Sequence, residues 1–208
     1  MNKYHSEENW LCWVDELSEK NFVVIDRFVG DECYRSIRDF LDDELPNFQQ
    51  AGIGALDQNT INKKIRGDST FWLSRNRDTR LHMFWELVDE LIYIFNRHCF
   101  LSLGGYEFHL AKYPPGGYYA KHVDQFQDRN NRIISVVIYL NDAWKEEDGG
   151  ELELFHQDRS VIVAPIAGRC VLFKSEIVPH AVLRSNKDRF SLTGWLLHKP
   201  SSLGQLFG

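Results

Sequence analysis

The chain has 208 residues, 43% apolar and 26% charged, which is typical of a globular protein and excludes a disordered or fibrous class. At this length we expect a single domain over residues 1–208 that needs no disulfides, and the four cysteines form no CxxC pair of the zinc-finger kind. The net charge of -6 argues against general binding to nucleic-acid phosphates, and no stretch is long and apolar enough for a membrane span or signal peptide, so we expect a cytoplasmic protein.

Helical patterns dominate the first hundred residues. Apolar side chains recur at helical spacing over residues 10–17, and a second helix is predicted over 31–45 with Asp31 as its N-cap. The clearest helix is predicted over 78–99, where the apolar stripe is wide enough to require a large apolar partner. A short strand is predicted at 22–25. We therefore expect these helices to support a sheet rather than to carry chemistry.

Short β-branched and aromatic runs, separated by turns rich in glycine and proline, fill the second half of the chain. Eight strands are predicted, at residues 106–113, 118–123, 133–140, 151–155, 160–164, 169–174, 179–184 and 189–197. Eight antiparallel strands backed by helices predict a mainly β, α+β fold, the double-stranded β-helix or cupin-like jelly roll. Residues 1–100 would supply mostly helical support and residues 105–198 the barrel.

Two features outside the predicted barrel are candidates for recognition. Residues 48–65 show no clear period, and a long irregular segment of this kind is typically a functional loop, so we expect a mobile loop there. The neighbouring residues 63–80, called the basic stretch below, carry six basic and two acidic side chains although the whole chain is acidic. A solvated face explains such a stretch more often than a docking site, and both alternatives stay open.

A histidine and an aspartate two residues apart, His122 and Asp124, fall on one face of a predicted strand, close enough to share a metal. This spacing alone is weak evidence, because it recurs at His5-Ser6-Glu7 and at His156-Gln157-Asp158. A facial triad needs a second histidine from a distant strand, and it leaves three metal positions open. His180 follows Asp124 by 56 residues at a predicted strand start, and Arg189 lies nine residues beyond it, so we favour His122 and Asp124 over the pair in the amino-terminal segment and the pair at His156.

The strand predicted at 189–197 places several polar side chains together. Arg189, Ser191, Thr193 and Trp195 share one of its faces, so a cation, two hydroxyls and an indole would point into the barrel. A guanidinium meets a planar carboxylate with two charge-assisted hydrogen bonds. The same alternation puts Tyr113 on one face with His109, for which a role in the pocket wall is expected.

This ordered set of motifs resembles the iron(II)- and 2-oxoglutarate-dependent dioxygenases, and among them the prolyl hydroxylases of the bacterial and oxygen-sensor type. The resemblance covers about residues 20–198 and extends beyond the triad to five further matches. These are Ile65-Arg66-Gly67-Asp68 followed by Trp72, Lys112-Tyr113-Pro114, Val137-Ile138-Tyr139-Leu140-Asn141, Gly149-Gly150-Glu151-Leu152 and Thr193-Gly194-Trp195. Collagen-type prolyl hydroxylases typically have lysine where Arg189 stands, so the chain resembles the other branch.

The resemblance implies iron(II) as cofactor, 2-oxoglutarate and dioxygen as cosubstrates, and ascorbate as a reductant. The implied iron ligands are His122, Asp124 and His180. The residues implied to bind 2-oxoglutarate are Arg189 and Tyr139 at its far carboxylate, Tyr113 through its hydroxyl, and Thr193 as support of the pocket. The implied substrate contacts are Arg66, Asp68, Tyr119 and Trp195, with Asp68 anchoring the loop at 48–65 as it closes over a bound peptide.

The function expected from this resemblance is that of a protein prolyl hydroxylase. Oxidative decarboxylation of 2-oxoglutarate to succinate and carbon dioxide would be coupled to hydroxylation of a prolyl residue in a protein partner, with a translation elongation factor as a candidate. We expect no nucleic-acid or membrane partner, and a monomer is favoured. Two alternatives stay open: the same chemistry on another side chain, a nucleic-acid base or a small molecule, and a jelly-roll binding module without catalysis.

Overall fold

The computed structural model describes residues 3–51, 67–125 and 131–198. Its helices are α1 (Glu7–Lys20), α2 (Asp31–Glu44) and α3 (His82–Cys99). Its strands are β1 (Phe22–Ile25), β2 (Gln49–Gln50), β3 (Ser69–Trp72), β4 (Leu103–Tyr113), β5 (Tyr119–His122), β6 (Arg132–Tyr139), β7 (Leu152–His156), β8 (Arg159–Val163), β9 (Cys170–Lys174), β10 (His180–Val182) and β11 (Arg189–His198).

The strands form two antiparallel sheets. The large sheet has the order β1-β9-β6-β11-β4-β3-β2 and the small sheet the order β5-β10-β7-β8. This arrangement is a jelly roll, so the predicted fold class is confirmed, and β4 to β11 correspond to the eight predicted strands. Apart from the consecutive strands β7 and β8, strands of the small sheet alternate in sequence with strands of the large one, and the two histidines predicted as metal ligands lie in the small sheet.

The large sheet is buried on both faces. Its outer face packs against the helices, where Trp10, Ile37 and Phe84 meet Leu110 and Leu172 in one apolar core. Its inner face and the small sheet enclose a second apolar core. Burial on both sides explains why β6 is an almost continuous apolar run rather than a strict alternation. A serine in that run, Ser135, is fully buried, which is notable for a polar residue.

The predicted N-cap of the second helix and the predicted start of the third helix are wrong. The N-cap of α2 is Gly30, and Asp31 is the first helical residue, where its carboxylate still faces the positive end of the helix dipole. The third α-helix begins at His82 instead of residue 78, and a short 3-10 helix at Thr79–Leu81, with Asp78 at its N-cap position, precedes it. The Asp78 carboxylate does not cap it, because that carboxylate accepts the Ser74 backbone N–H at 2.7 Å and pairs with Arg77.

The segment predicted as irregular begins as a strand. Gln49–Gln50 pairs with β3, and β3 pairs with β4, so two short strands extend the large sheet beyond the predicted barrel. The sequence does not predict β3, because four residues show little alternation and their stability comes from pairing with β4. Residues 52–65 of the predicted loop lie outside the described residues.

The described residues also bear on two expectations from composition. All four cysteines are free thiols, and Cys33 and Cys170 are buried, in agreement with a core that needs no disulfide. Among residues 3–51, 67–125 and 131–198, the helices are too short or too polar to span a membrane.

The glycine of the Thr193-Gly194-Trp195 motif is needed for packing between strands. A Cβ at Gly194 would overlap the Phe108 ring and the backbone oxygen of Glu107 on β4. We expect Gly194→Ala to lower the free energy of unfolding by about 1–3 kcal/mol, the usual cost of overpacking a core. Urea unfolding measures it, with Gly105→Ala as control, because a Cβ there makes only ordinary contacts with Leu197 at 3.7 Å. Equal midpoints for the two variants would contradict the packing explanation.

Candidate metal centre and cosubstrate pocket

The two predicted histidine ligands face each other across a strand pair. His122 ends β5, His180 begins β10, and the two residues are direct partners in the antiparallel register. Their ring centroids are 4.3 Å apart. Strand pairing therefore brings together two side chains that are far apart in sequence.

Asp124 completes the triad from just beyond the end of β5. Its Oδ1 atom lies 3.5 Å from His122 Nε2 and 3.6 Å from His180 Nε2. One donor atom from each of the three residues falls within 4.8 Å of the others, and no other such group of three occurs in residues 3–51, 67–125 and 131–198. The prediction that His122 and Asp124 lie on one face of the same strand is wrong in one detail, because β5 stops at His122. The backbone N–H of Asp124 instead donates to the Ser175 carbonyl at 3.2 Å.

Backbone carbonyls fix the orientation of both imidazoles. His122 Nδ1 lies 2.8 Å from the Ala120 carbonyl oxygen, and His180 Nδ1 lies 3.1 Å from that of Val178. A carbonyl oxygen can only accept, so each Nδ1 carries a hydrogen, and Nε2 is the ring nitrogen that faces Asp124. A backbone carbonyl behind a histidine is the usual support of a metal ligand.

The charges of the triad suit a divalent cation. Burial raises the pKa of Asp124, but His180, His122 and the Ser135 hydrogen bond outweigh burial and hold this pKa well below its ordinary value. Burial lowers the pKa of His180, which outweighs the opposite effect of Asp124 and keeps the imidazole neutral. Two imidazoles and one carboxylate, with Nε2 and Oδ1 converging, fit the facial triad of a non-haem iron(II) site.

A buried cation lies deeper in the barrel. Arg189 is 3% exposed, and in the described part of the chain its hydrogen bonds go to the Gly150 carbonyl at 2.7 Å and to Ser191 Oγ at 3.4 Å rather than to a carboxylate. Its guanidinium carbon lies 5.0 Å from the centre of the Tyr113 ring and 5.2 Å from that of Tyr139. A buried guanidinium without a carboxylate partner is costly unless an anion binds to it.

Further polar groups lie near Arg189. The Tyr139 hydroxyl is buried and makes no hydrogen bond within the described ranges. Burial raises the pKa of Tyr139 to about 12 against the opposing charge of Arg189, so the phenol stays a neutral donor. Thr193 Oγ1 lies 3.1 Å from Ser191 Oγ on the same inner face of β11. The residues present fit the far carboxylate of a 2-oxo diacid.

Two of the residues predicted to contact substrate, Tyr119 and Trp195, pack against other aromatic rings. Tyr119 stacks on His122 with ring centroids 3.7 Å apart and planes 20° from parallel. Trp195 is buried, and its ring lies 5.5 Å from that of His109 and 6.3 Å from that of Trp72. Trp72 is 51% exposed. An aromatic surface therefore runs from the buried Trp195 to solvent.

The segment that leads into β3 is only partly described. Asp68 is buried, its carbonyl accepts the Ala51 backbone N–H at 3.0 Å, and the preceding Gly67 N–H donates to the Tyr118 carbonyl at 3.0 Å. Asp68 thus sits where the chain enters the sheet, beside the β4–β5 connection. Arg66 lies outside the described residues.

The described part of the basic stretch is an ion-paired face. Arg75 pairs with Asp89 and Arg80 with Asp43, in both cases at 2.7 Å, and Arg77 pairs with Asp78. Acidic residues of α2 and α3 therefore supply partners for these arginines, which favours the solvated-face interpretation. Lys63 and Lys64 lie outside the described residues.

Several residues of the site escape sequence reasoning. Ser135 Oγ donates to Asp124 Oδ2 at 2.6 Å, and Ser175 Oγ lies 2.9 Å from Ser135 Oγ. Arg132 stacks on the Trp195 ring at 3.5 Å and pairs with Glu107 at 2.9 Å. A serine inside the apolar β6 was an available signal, whereas nothing near Ser175 marks it.

A triad of two histidines and one aspartate in a jelly roll, with Asp124 and His180 buried, is typical of the non-haem iron(II) oxygenases. The family model of the 2OG-Fe(II) oxygenase superfamily matches residues 108–197, which contain the triad and Arg189. A Pseudomonas putida prolyl-4-hydroxylase is 31% identical, with 92% of this chain and 100% of that chain covered and a TM-score of 0.83. The chain belongs to the 2OG-Fe(II) oxygenase superfamily, and it is a dioxygenase.

Two further solved structures are similar. A Trichoplax adhaerens prolyl hydroxylase, solved in complex with a peptide fragment of the hypoxia inducible factor oxygen degradation domain, is 28% identical over 92% of this chain and 90% of that chain, with a TM-score of 0.82. A Phytophthora capsici prolyl 4-hydroxylase is 24% identical over 100% of this chain and 74% of that chain, with a TM-score of 0.74, and shows the shared fold. The superfamily implies iron(II), 2-oxoglutarate and dioxygen.

Proposed function

We propose that the protein hydroxylates a prolyl residue of a protein substrate while 2-oxoglutarate is decarboxylated to succinate and carbon dioxide. The observation that carries this proposal is the 31% identity, over 92% of the chain, to an enzyme named as a prolyl-4-hydroxylase. The protein substrate is supported by the peptide bound to the Trichoplax adhaerens enzyme. A bacterial-type substrate such as a translation elongation factor is our candidate.

The proposed iron ligands are His122, Asp124 and His180. Support comes from their converging Nε2 and Oδ1 atoms and from the carbonyls that fix both imidazoles. Iron(II), once bound with 2-oxoglutarate, supplies the activation of dioxygen for C–H oxidation. We propose ascorbate as the reductant that keeps the iron in the ferrous state.

The proposed cosubstrate pocket orients 2-oxoglutarate by its far carboxylate. Arg189 offers the unpaired buried charge, and Tyr139 offers a neutral hydroxyl that has no partner in residues 3–51, 67–125 and 131–198. Tyr113 adds a second phenol beside the guanidinium, and Thr193 supports the same wall. The buried walls exclude water from this charge pair, which strengthens it.

The proposed prolyl site lies at the aromatic surface formed by Trp72, His109 and Trp195. Flat rings match the apolar pyrrolidine, and Trp195 Nε1, buried without a hydrogen-bond partner in the described part of the chain, is available to a substrate carbonyl. We propose Tyr119 at the edge of this site, because it stacks on His122. Asp68 and Arg66 are proposed to act at the entrance, with Asp68 buried where the chain enters β3.

The remaining expectations on partners are proposals of the same kind. The net charge of -6 supports a protein rather than a nucleic-acid partner. The free cysteines support a reducing, cytoplasmic location. We also propose that the protein acts as a monomer.

The test is incubation of the protein with iron(II), 2-oxoglutarate, dioxygen and candidate proteins, the elongation factor first. We expect a gain of one oxygen atom on a proline, mapped by mass spectrometry, together with release of one succinate for each hydroxylation. Turnover with only a nucleic-acid base or a small molecule would overturn the prolyl assignment. Binding of metal and 2-oxoglutarate without succinate release, whatever the acceptor, would instead indicate a binding module.

A further inference from the structure

A chain of two serine hydroxyls ends on the aspartate of the triad. Ser135 Oγ lies 2.6 Å from Asp124 Oδ2, and Ser175 Oγ lies 2.9 Å from Ser135 Oγ. Both serines have no exposed surface. Such buried hydroxyls need defined partners, and these two find them in each other and in the carboxylate.

The number of hydrogens available fixes which group donates in each of these two hydrogen bonds. A serine hydroxyl has one hydrogen, and an ionised carboxylate can only accept, so the Ser135 hydrogen goes to Asp124. The second bond must then use the Ser175 hydrogen, donated to Ser135 Oγ. Hydrogen bonds in series polarise one another, so Ser175 strengthens the bond that Ser135 makes to the carboxylate.

The two oxygens of Asp124 have different surroundings. Oδ1 lies 3.5 Å and 3.6 Å from the two imidazole Nε2 atoms, while Oδ2 is the atom bonded to Ser135. Asp124 stands outside β5, so its own strand does not hold the side chain. Its backbone is fixed to Ser175 at 3.2 Å and to Arg132 at 3.3 Å, and the short bond from Ser135 Oγ to Oδ2, at 2.6 Å, fixes the rotation of its carboxylate.

We propose that Ser135 and Ser175 are positioning residues that hold Asp124 as a one-oxygen metal ligand. By occupying Oδ2, the serines keep the carboxylate from binding through both oxygens. One-oxygen ligation keeps three coordination positions open, as a two-oxygen cosubstrate and dioxygen together require. This inference rests on the proposed function insofar as the triad binds metal.

The register extends the role of Ser135 toward the substrate. Ser135 on β6 stands directly opposite Trp195 on β11, the residue proposed to contact the prolyl ring. Ser135 therefore supports the proposed metal ligand, and its partner on the neighbouring strand, Trp195, is proposed to face the substrate. A change at Ser135 is consequently expected to act on the metal site before it acts on the cosubstrate pocket at Arg189.

The experiment measures Mn²⁺ affinity of the purified metal-free protein, for the wild type and for Ser135→Ala, Ser175→Ala and the double variant. We expect Ser135→Ala to weaken Mn²⁺ binding about 10–100-fold, the usual effect of removing a partner behind a metal ligand, and Ser175→Ala to weaken it less. The double variant should be no weaker than Ser135→Ala, because Ser175 acts through Ser135. Ser135→Thr, which keeps the hydroxyl, should restore affinity.

The control is Ser185→Ala, which removes another buried serine whose hydroxyl donates to the Lys187 carbonyl at 2.7 Å. It should leave Mn²⁺ affinity unchanged, and thermal unfolding of each metal-free variant checks the fold. Wild-type affinity in folded Ser135→Ala, or independent additive losses in the double variant, would overturn the inference. A wild-type protein that binds no Mn²⁺ would instead contradict the proposed metal site, so the two failures are distinguishable.

Discussion

Replacing His180 with alanine is expected to weaken metal binding by more than ~100-fold and to reduce succinate release to background. Loss of a partner behind a ligand already costs about 10–100-fold, and His180→Ala removes the ligand itself. The variant should stay folded, because it leaves a small gap beside Phe173, whose ring centroid lies 4.6 Å away. Mn²⁺ titration of the metal-free protein and a succinate assay measure the two effects.

The matched control for this prediction is His156→Ala. His156 belongs to another histidine-aspartate pair with the same spacing, but it lies at the end of β7 and packs on Phe22 at 5.9 Å. It should bind metal and release succinate like the wild type. Unchanged metal affinity in folded His180→Ala, or a loss in His156→Ala, would refute the assignment of the triad.

Much of the fold follows from local patterns, and the errors have local causes. The strand predicted at 189–197 is observed as Arg189–His198. The prediction succeeds because successive side chains of this strand alternate between the sheet face that packs on the helices and the inner face of the barrel. The strand predicted at 179–184 is only His180–Val182, because its register to β5 is irregular after His180. Helix starts shifted where a side chain such as Asp78 had partners that sequence spacing does not reveal.

The site could be predicted only where residue type and spacing carry the information. Arg189 and the histidines are recognisable by their chemistry, and pairing of β5 with β10 brings the histidines together. The serine chain could not be predicted, because the contact of Ser135 with Ser175 depends on how β6 and the end of β9 align across 40 residues. Long-range register is what single-sequence patterns lack.

The basic stretch shows that neither the net charge of the whole chain nor a local excess of cations identifies a binding surface. The chain is acidic overall, and the excess of cations near residues 63–80 suggested a partner surface. The structure pairs Arg75 and Arg80 with acids of α3 and α2, which the sequence places 14 and 37 residues away. Exposed pairs of this kind contribute little stability, but they leave less free charge for a partner.

Replacing Arg189 with alanine is expected to weaken 2-oxoglutarate binding by about 30-fold to more than 1,000-fold, equivalent to the ~2–5 kcal/mol cost of removing one partner of a buried charge pair. Metal affinity should change by less than about threefold, since the triad holds its atoms through the Ala120 and Val178 carbonyls and through Ser135. The physical reason is that the far carboxylate would be left buried without its counter-charge, with only neutral hydroxyl groups such as that of Tyr139 to meet it.

Calorimetric titration of the Mn²⁺-loaded protein with 2-oxoglutarate measures this loss, and Arg189→Lys is the matched variant. Lysine keeps the charge but lacks the planar fork and the Nε–H that donates to the Gly150 carbonyl. Its affinity should therefore fall between those of the wild type and of Arg189→Ala. Equal losses of metal and 2-oxoglutarate affinity in Arg189→Ala would indicate misfolding, and wild-type 2-oxoglutarate affinity would show that the carboxylate binds elsewhere. A loss of 2-oxoglutarate affinity alone, smaller in Arg189→Lys than in Arg189→Ala, requires that the Arg189 guanidinium faces the cosubstrate.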